Sequence, residues 1–398
     1  MSACGHTAPR TANPRRGVSV STRRGWGPAA SAKKLTERLT DNLYMDRALF
    51  HAARGRGRTR PNPLVGAVVV SPDGVIAGTG YHARAGEPHA EIRALAEAGA
   101  RANGATLYCT LEPCCHHGRT GPCVARIVEA GIARVVASVE DPNPLVRGEG
   151  FAFLRAHGVA VEVGVCAERA IGLNQPFFMM MREHRPFVIL KAATSMDGRI
   201  AESPGRRTQL SSAPANRHVH CFRAEVDAIG VGSGTVLIDD PELTARGVYR
   251  EDPLSRVVFD RSLRTPPSAR LHSTGSDSPV IIVTTAEAAC RAELRIPLED
   301  AGAEIEVARD GTFRAALERL AARDIGSLML EGGAALHCAA WDEELVDFVS
   351  LYVTPHVLGT AGVELLPGRS FSTSALHHRV VAPLGPDVLI EGYVHRPH

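Results

Sequence analysis

Lysine is almost missing from this chain of 398 residues: only Lys33, Lys34 and Lys191 occur, and every other basic position apart from histidine is arginine. Aromatic residues make up just 5% and the net charge is only +2, so the interleaved basic and aromatic surface of a nucleic-acid binder is lacking. No run of eighteen apolar residues occurs, which excludes a spanning helix. Long internal repeats are also absent. The first forty residues hold one acid, Glu37, against Arg10, Arg15, Arg16, Arg23, Arg24, Lys33, Lys34 and Arg38. With several Ser, Thr, Pro and Gly, residues 1–40 read as a disordered basic extension, a solvated tail rather than the organellar transit peptide they superficially resemble.

What is present suits a two-domain enzyme. The length exceeds one ordinary domain, 44% of residues are hydrophobic, and strands alternate with helices, which predicts two α/β units. Nine cysteines, several of them clustered, suit a reducing compartment such as the cytoplasm better than a disulfide framework. Folding is expected to begin at Asp41-Asn42, capping a helix over Leu43 to Arg54. A first domain then covers 41–175, a linker 176–186 with Met179-Met180-Met181 as packing filler, and a second domain 187–398.

The richest segment is His89-Ala90-Glu91 followed by Pro113-Cys114-Cys115 and Cys123. An imidazole, thiolates and a free carboxylate in one stretch are the donor set of a catalytic zinc, which keeps one position for an acidified water. Hydrolytic removal of a ring amine needs that water and a proton shuttle, the role of Glu91. Nucleobase deaminases carry His-x-Glu and Pro-Cys-x-x-Cys, but here eight residues separate Cys114 from Cys123, so Cys115, His116 and His117 are rival ligands. A closed structural zinc knot has no use for the acid at 91. Ala67 to Val70, Thr106 to Leu111 and Arg134 to Val139 read as strands, His89 to Ala98 and Cys123 to Ala130 as helices. Ligands at two helix N-termini meet a positive dipole end that favours thiolate.

Arg60-Pro61-Asn62-Pro63-Leu64-Val65-Gly66, Gly80-Tyr81-His82, Gly86-Glu87-Pro88-His89-Ala90-Glu91 and the run Thr110 to Cys123 resemble the deaminase half of the bifunctional riboflavin-biosynthesis deaminase/reductase family. The wide cysteine gap is normal there. The resemblance implies a cytidine-deaminase-like three-layer α/β/α fold, zinc on His89, Cys114 and Cys123, and Glu91 as proton shuttle. It also implies Asn62 and His82 against the pyrimidine, His116 and Arg119 against the substrate phosphate, and Asp141-Pro142-Asn143-Pro144 at the rim. Cys115 stands where the family usually has serine.

In the second half, Lys191 sits inside the apolar run Pro186 to Ala193, where an ammonium is costly unless paired or used. Thr194-Ser195-Met196-Asp197-Gly198 follows as a polar turn. Ala228 to Val236 is a buried strand entering Gly232-Ser233-Gly234, with Asp239, Asp240 and Arg246 beyond. Leu328-Met329-Leu330-Glu331-Gly332-Gly333-Ala334 is a strand ending in an acid and two glycines that opens a helix, a place for a phosphate. It is not Gly-x-Gly-x-x-Gly, so a standard Rossmann domain is disfavoured.

These stretches resemble the reductase half of the same family, with a dihydrofolate-reductase-like α/β fold and NADPH as hydride donor. The resemblance places Ala193, Gln209, Thr235, Asp239, Gly332, Gly333 and Ala334 beside the cofactor. It places Arg207, Arg223, Leu243, Arg246 and Glu331 on the ribosyl phosphate side, and Lys191, Ser195 and Asp197 near the reacting sugar carbon. One departure stands out: where the family has Gly-Glu-Ser-x-Trp-Ile-Thr, this chain reads Gly205-Arg206-Arg207-Thr208-Gln209-Leu210-Ser211.

The expected activity is bifunctional: zinc-dependent deamination of a diamino-ribosylamino-pyrimidinone phosphate, then NADPH-dependent reduction of its ribosyl group to ribityl. The rival readings are a nucleoside deaminase, a deaminase whose reductase half is inactive through changes at 206–209, and a non-catalytic zinc module. The expected partners are the small pyrimidine phosphate, with neither nucleic acid nor membrane, and a second copy of the chain through the reductase domain.

Overall fold

The computed structural model describes residues 28–115, 121–273 and 278–397, with side chains from residue 36 onward. Residues up to Thr40 form a unit of their own, and Asp41–His398 form the other. Among the described residues, no helix is long and apolar enough to cross a membrane.

The first half is a five-stranded sheet in the order Ile76–Tyr81, Gly66–Val70, Thr106–Cys109, Arg134–Ala137, Ala160–Val163. The first two junctions are antiparallel and the last two parallel. Ala67 lies opposite Gly80 and Val69 opposite Gly78, so those four share one face while Gly66 belongs to the other. A Cβ on Gly66 would lie 1.9 Å from the carbonyl of Ala48 in the helix Pro28–Ala53. On Gly78 and Gly80 it would lie 2.2 Å from the Ala94 and Ala90 carbonyls of the helix Ala90–Ala98. Helices therefore press on both faces at bare backbone, which makes the three layers.

The second half is a nine-stranded sheet in the order Ala303–Ala308, Val280–Thr285, Ser255–Phe259, Ala228–Gly232, Ser327–Leu330, Phe187–Thr194, Phe348–Val353, Asp387–Tyr393, His377–Leu384. Every junction is parallel except those that Asp387–Tyr393 makes with its two neighbours. Central strands read as unbroken apolar runs because helices cover both faces. Val188, Leu190 and Leu330 belong to one buried cluster, Phe187, Ile189 and Met329 to another.

Three boundaries differ from expectation. Residues 28–40 are helical, and the helix runs on to Ala53; residues 1–27 lie outside the described part. Asp41 is not a cap. It sits inside that helix and accepts from Tyr108 and from both terminal nitrogens of Arg134 at 2.7 to 2.9 Å. The expected linker is mostly a helix, Gln175–Glu183, with Phe178 and Met179 buried.

At the start of the second half, Arg185 and Asp347 form a two-point pair at 2.7 and 2.8 Å, each side chain 6% exposed, and Asp347 also accepts from the Val188 amide. Asp347→Asn is near-isosteric but strands a buried guanidinium. The expected cost is about 3–5 kcal/mol, read as a lowered denaturation midpoint; an unchanged midpoint would refute the buried-charge argument.

Candidate active sites

The zinc-type centre is assembled by helix starts and one loop. His89 is the N-cap of Ala90–Ala98, which places Glu91 in the first turn. Cys123 opens the helix Cys123–Glu129 behind Pro122, and its amide donates to Cys114 Sγ at 3.4 Å. His89 Nδ1 lies 3.2 Å from Cys123 Sγ and 3.4 Å from Cys114 Sγ. All three donor atoms fall within 4.8 Å of one another. A tetrahedral zinc with bonds of about 2.0–2.3 Å needs donor separations of roughly 3.5–3.8 Å, so one nitrogen and two sulfurs at these spacings fit it.

Electrostatics favour a thiolate at Cys114. The Cys123 thiol donates to Cys114, which with help from His89 holds the Cys114 thiol down to about 4, while the same contact pushes Cys123 up. Glu91 is 3% exposed, its Oε2 has no hydrogen-bond partner, and burial pushes its carboxyl up to about 7. An orphaned buried oxygen beside a donor triangle is costly unless function uses it. Cys115, one of the rival ligands, is outside the triangle and points its thiol at the Leu145 carbonyl. His116, His117 and Arg119 lie outside the described residues.

A cavity of about 340 Å³ opens over this centre, lined among others by Asn62, His82, His89, Glu91, Asp141 and Asn143. Asn62 Nδ2 sits 3.0 Å from His82 Nε2, and the His82 ring stands edge-on to His89 at 5.4 Å. Burial holds His82 below its ordinary value, so it is neutral. Two contributors were not legible beforehand. Phe177, from the supposed linker, lines the cavity. Glu112 accepts from the Asp141, Gly148 and Phe151 amides at 2.9 to 3.1 Å and so pins the rim. Its position beside Pro113-Cys114 was the only signal.

The second site is a cleft of about 480 Å³ at the carboxyl ends of the parallel strands, the usual ligand position in such sheets. It brings together Lys191, Ala193, Arg207, Gln209, Arg223, Thr235, Asp239, Leu243, Arg246, Glu331, Gly332, Gly333 and Ala334. Lys191 Nζ is 3.5 Å from Glu331 and 5.6 Å from the ring centre of the fully buried Tyr352. Arg223 holds Glu331 with two bonds of 2.6 and 2.9 Å and spends Nη1 on the Thr244 carbonyl. Burial opposes the Glu331 charge, yet Arg223 and Lys191 beside it hold the carboxyl down to about 2. Burial also holds Lys191 below its ordinary value, with Glu331 opposing.

Ser195 and Asp197 are not among the residues lining the cleft. Ser195 Oγ closes its own hairpin by accepting from the Arg199 amide at 2.9 Å, and Asp197 accepts from the Leu358 and Gly359 amides at 3.0 and 2.7 Å. Their polar pattern reflects turn chemistry. Beside the cleft a second cavity of about 700 Å³ shares Thr235, Gly333 and Ala334 and is also lined by Arg261, Arg264 and Thr312. Gly333 has φ 84°, a left-handed position that suits glycine, and a Cβ on Gly332 would meet Thr235 Oγ1 at 2.8 Å. Two joined cavities meeting at a glycine cradle before the helix Ala334–Asp342 fit an elongated dinucleotide with phosphates at the helix start.

A three-layer domain with a His/Cys/Cys centre and buried acid, joined to a mixed sheet with a dinucleotide-sized cleft, defines a zinc deaminase fused to a reductase. Residues 39–139 match the zinc-binding region of cytidine and deoxycytidylate deaminases, and residues 186–390 match the RibD C-terminal domain. Riboflavin biosynthesis protein RibD of Aquifex aeolicus is 39% identical over 352 residues, covering 88% of this chain and 97% of that protein. Its Escherichia coli counterpart is 39% identical over 363 residues, covering 88% and 99%. Acinetobacter baumannii RibD superposes with TM-score 0.80 at 34% identity, covering 89% of this chain and 99% of that one. A Thermotoga maritima diaminohydroxyphosphoribosylaminopyrimidine deaminase/5-amino-6-(5-phosphoribosylamino)uracil reductase gives 0.78 at 34%, covering 90% and 99%. The chain belongs to the RibD family, the bifunctional deaminase–reductases of riboflavin biosynthesis.

Proposed function

We propose that residues 41–175 deaminate 2,5-diamino-6-(ribosylamino)pyrimidin-4-one 5′-phosphate, and that residues 187–398, joined through 176–186, reduce the ribosyl group of the resulting uracil to ribityl. The observation that carries the first step is the donor triangle of His89, Cys114 and Cys123 beside an unpartnered, buried Glu91 oxygen.

His89, Cys114 and Cys123 would hold zinc, which when bound supplies a water acidified to a pKa of about 7. Glu91 carries a proton from the attacking water to the departing amine, so water and substrate yield ammonia and the ring carbonyl. Asn62 and His82 orient the ring, His82 as a neutral acceptor for the Asn62 amide. His116 and Arg119 meet the phosphate.

In the second cleft NADPH supplies the hydride. Ala193, Gln209, Thr235, Asp239 and the Gly332-Gly333-Ala334 turn border it. Lys191, fixed between Glu331 and the Tyr352 ring, faces the sugar. Because Arg223 is committed to Glu331 and Thr244, it acts by holding that acid, and the phosphate falls to Arg246 and Arg207. Arg246 is 61% exposed, and its pair to Glu242 at 2.9 Å is a surface pair, which a phosphate can replace at little cost.

The chain works in the reducing cytoplasm, in keeping with eight free cysteines among the described residues. It pairs with a second copy through the reductase half. Support comes from the edge strand His377–Leu384, where Val380 and Val381 are 55% and 58% exposed, an open row of backbone groups.

Incubating purified protein with the pyrimidine phosphate, with and without NADPH, tests both steps. Ammonia release should need no NADPH, and nucleotide oxidation should begin only once deamination has occurred. Nucleotide oxidation without prior ammonia release would overturn the order of steps.

A further inference from the structure

A fourth cavity, of about 460 Å³, lies between the two halves and belongs to neither catalytic cleft. It shares Pro61, Asn62, Pro63 and Phe177 with the deaminase cavity. The helix Ala213–Glu225, whose Arg223 faces the reductase cleft, supplies Phe222 to this wall. This cavity and the deaminase cavity are therefore neighbours across the segment Pro61-Asn62-Pro63 and Phe177.

Its walls have a definite chemistry. Phe187, Phe348 and Tyr393 line it as a trio with ring centres 5.1 to 6.5 Å apart. Gln175 lines it too, is only 3% exposed, and its Nε2 has no hydrogen-bond partner. A buried amide donor without an acceptor costs free energy unless something else completes it. Charged groups of both signs stand at the same cavity, Arg56, Arg58 and Arg60 with Glu225, Asp227, Asp324 and Glu391. Arg56 is neutralised by Glu225 and Arg58 lies near Glu251. Arg60 forms no ion pair among the described residues. Burial pushes the Asp227 carboxyl up and the Arg60 charge opposes this; its Oδ2 is taken by the Gly326 and Ser327 amides and the Ser327 hydroxyl.

We propose that this cavity is a second binding site for a pyrimidine ribosyl phosphate, a waiting place for the product of the deaminase. The aromatic trio takes the flat ring, Gln175 Nε2 donates to a ring carbonyl, and Arg60 meets the phosphate. An aromatic wall with convergent polar groups, in a cavity of this volume, is the usual make-up of a small-ligand site. The assignment rests on the deaminase reading, since the ligand is chosen by what that centre releases.

The test is photo-crosslinking of full-length, zinc-loaded protein with 4-thiouridine 5′-phosphate, a non-reacting pyrimidine nucleotide, beside an ammonia-release assay on the same samples. Label is expected on peptides carrying Phe187, Phe222 or Phe348. Gln175→Leu and Arg60→Gln should each cut that label at least about tenfold while ammonia release stays within about twofold; the second variant guards against misfolding of the first. In the coupled reaction both should lengthen the lag before NADPH oxidation. Label confined to the two catalytic clefts, or unchanged in both variants, would overturn the waiting site alone. Absence of ammonia release from the parent protein would overturn the deaminase reading, and this one with it.

Discussion

Glu91→Gln will keep its zinc and lose deamination, by about 10²–10⁴-fold in kcat, the usual worth of a positioned proton carrier. The amide has nearly the shape of the acid and fills the same buried place beside His89, so the metal site should assemble as before. What it cannot do is accept and return a proton. Zinc content by metal analysis and ammonia release by coupled assay separate the two quantities. Full activity would remove the shuttle role; loss of metal together with activity would show that Glu91 helps to build the site. NADPH oxidation with the uracil supplied directly should be unaffected in either case.

The reductase half offers the complementary experiment. Lys191→Ala should lower kcat for NADPH oxidation by about 10²–10³-fold, the scale on which a single preorganised polar group acts, while ammonia release stays unchanged. Glu331→Gln should go further, because it leaves the Lys191 and Arg223 charges buried without their common partner. Its acid dependence has a definite sign. The folded carboxyl is held down to about 2 from its ordinary 4.5, so its stabilisation is full above pH 4.5 and is lost only as pH falls toward 2. The ionised cluster therefore stays intact through mildly acidic conditions, and Glu331→Gln should be flat there yet less stable throughout. Unchanged NADPH oxidation in Lys191→Ala would contradict its placement.

The type of metal centre was legible because nitrogen and sulfur donors at helix starts and an acid two residues from the histidine point to a catalytic zinc; which donors hold it was open between Cys115, His116, His117 and the pair Cys114 and Cys123, and the family resemblance chose the pair. Lys191 stood out for a similar reason, since a strand interior rarely tolerates an ammonium. What escaped depends on residues far apart in the chain. Asp41 has cap chemistry, but its partner Arg134 lies 93 positions away, and that pair lets the helix run through. Gln175–Glu183 falls in the stretch expected as linker because it lies between the two motif-bearing halves; it is helical, with Phe178 and Met179 buried in the cores of opposite halves. Tyr352 carries no motif at all and matters because Phe348–Val353 pairs with Phe187–Thr194, which sets Tyr352 opposite Ala193 and its ring 5.6 Å from Lys191 Nζ. Ser195 and Asp197 have turn bonds of their own that account for their polarity.

Bare backbone contact at Gly78 and Gly80 has a practical consequence for anyone reshaping this catalyst. The helix that begins at His89 rests on those two positions with no side chain between, so its tilt cannot be tuned by ordinary substitutions beneath it. Selections for activity on other amines will find that support frozen, and altered preference will have to arise in the surrounding segments at 61–63, 141–143 and 177.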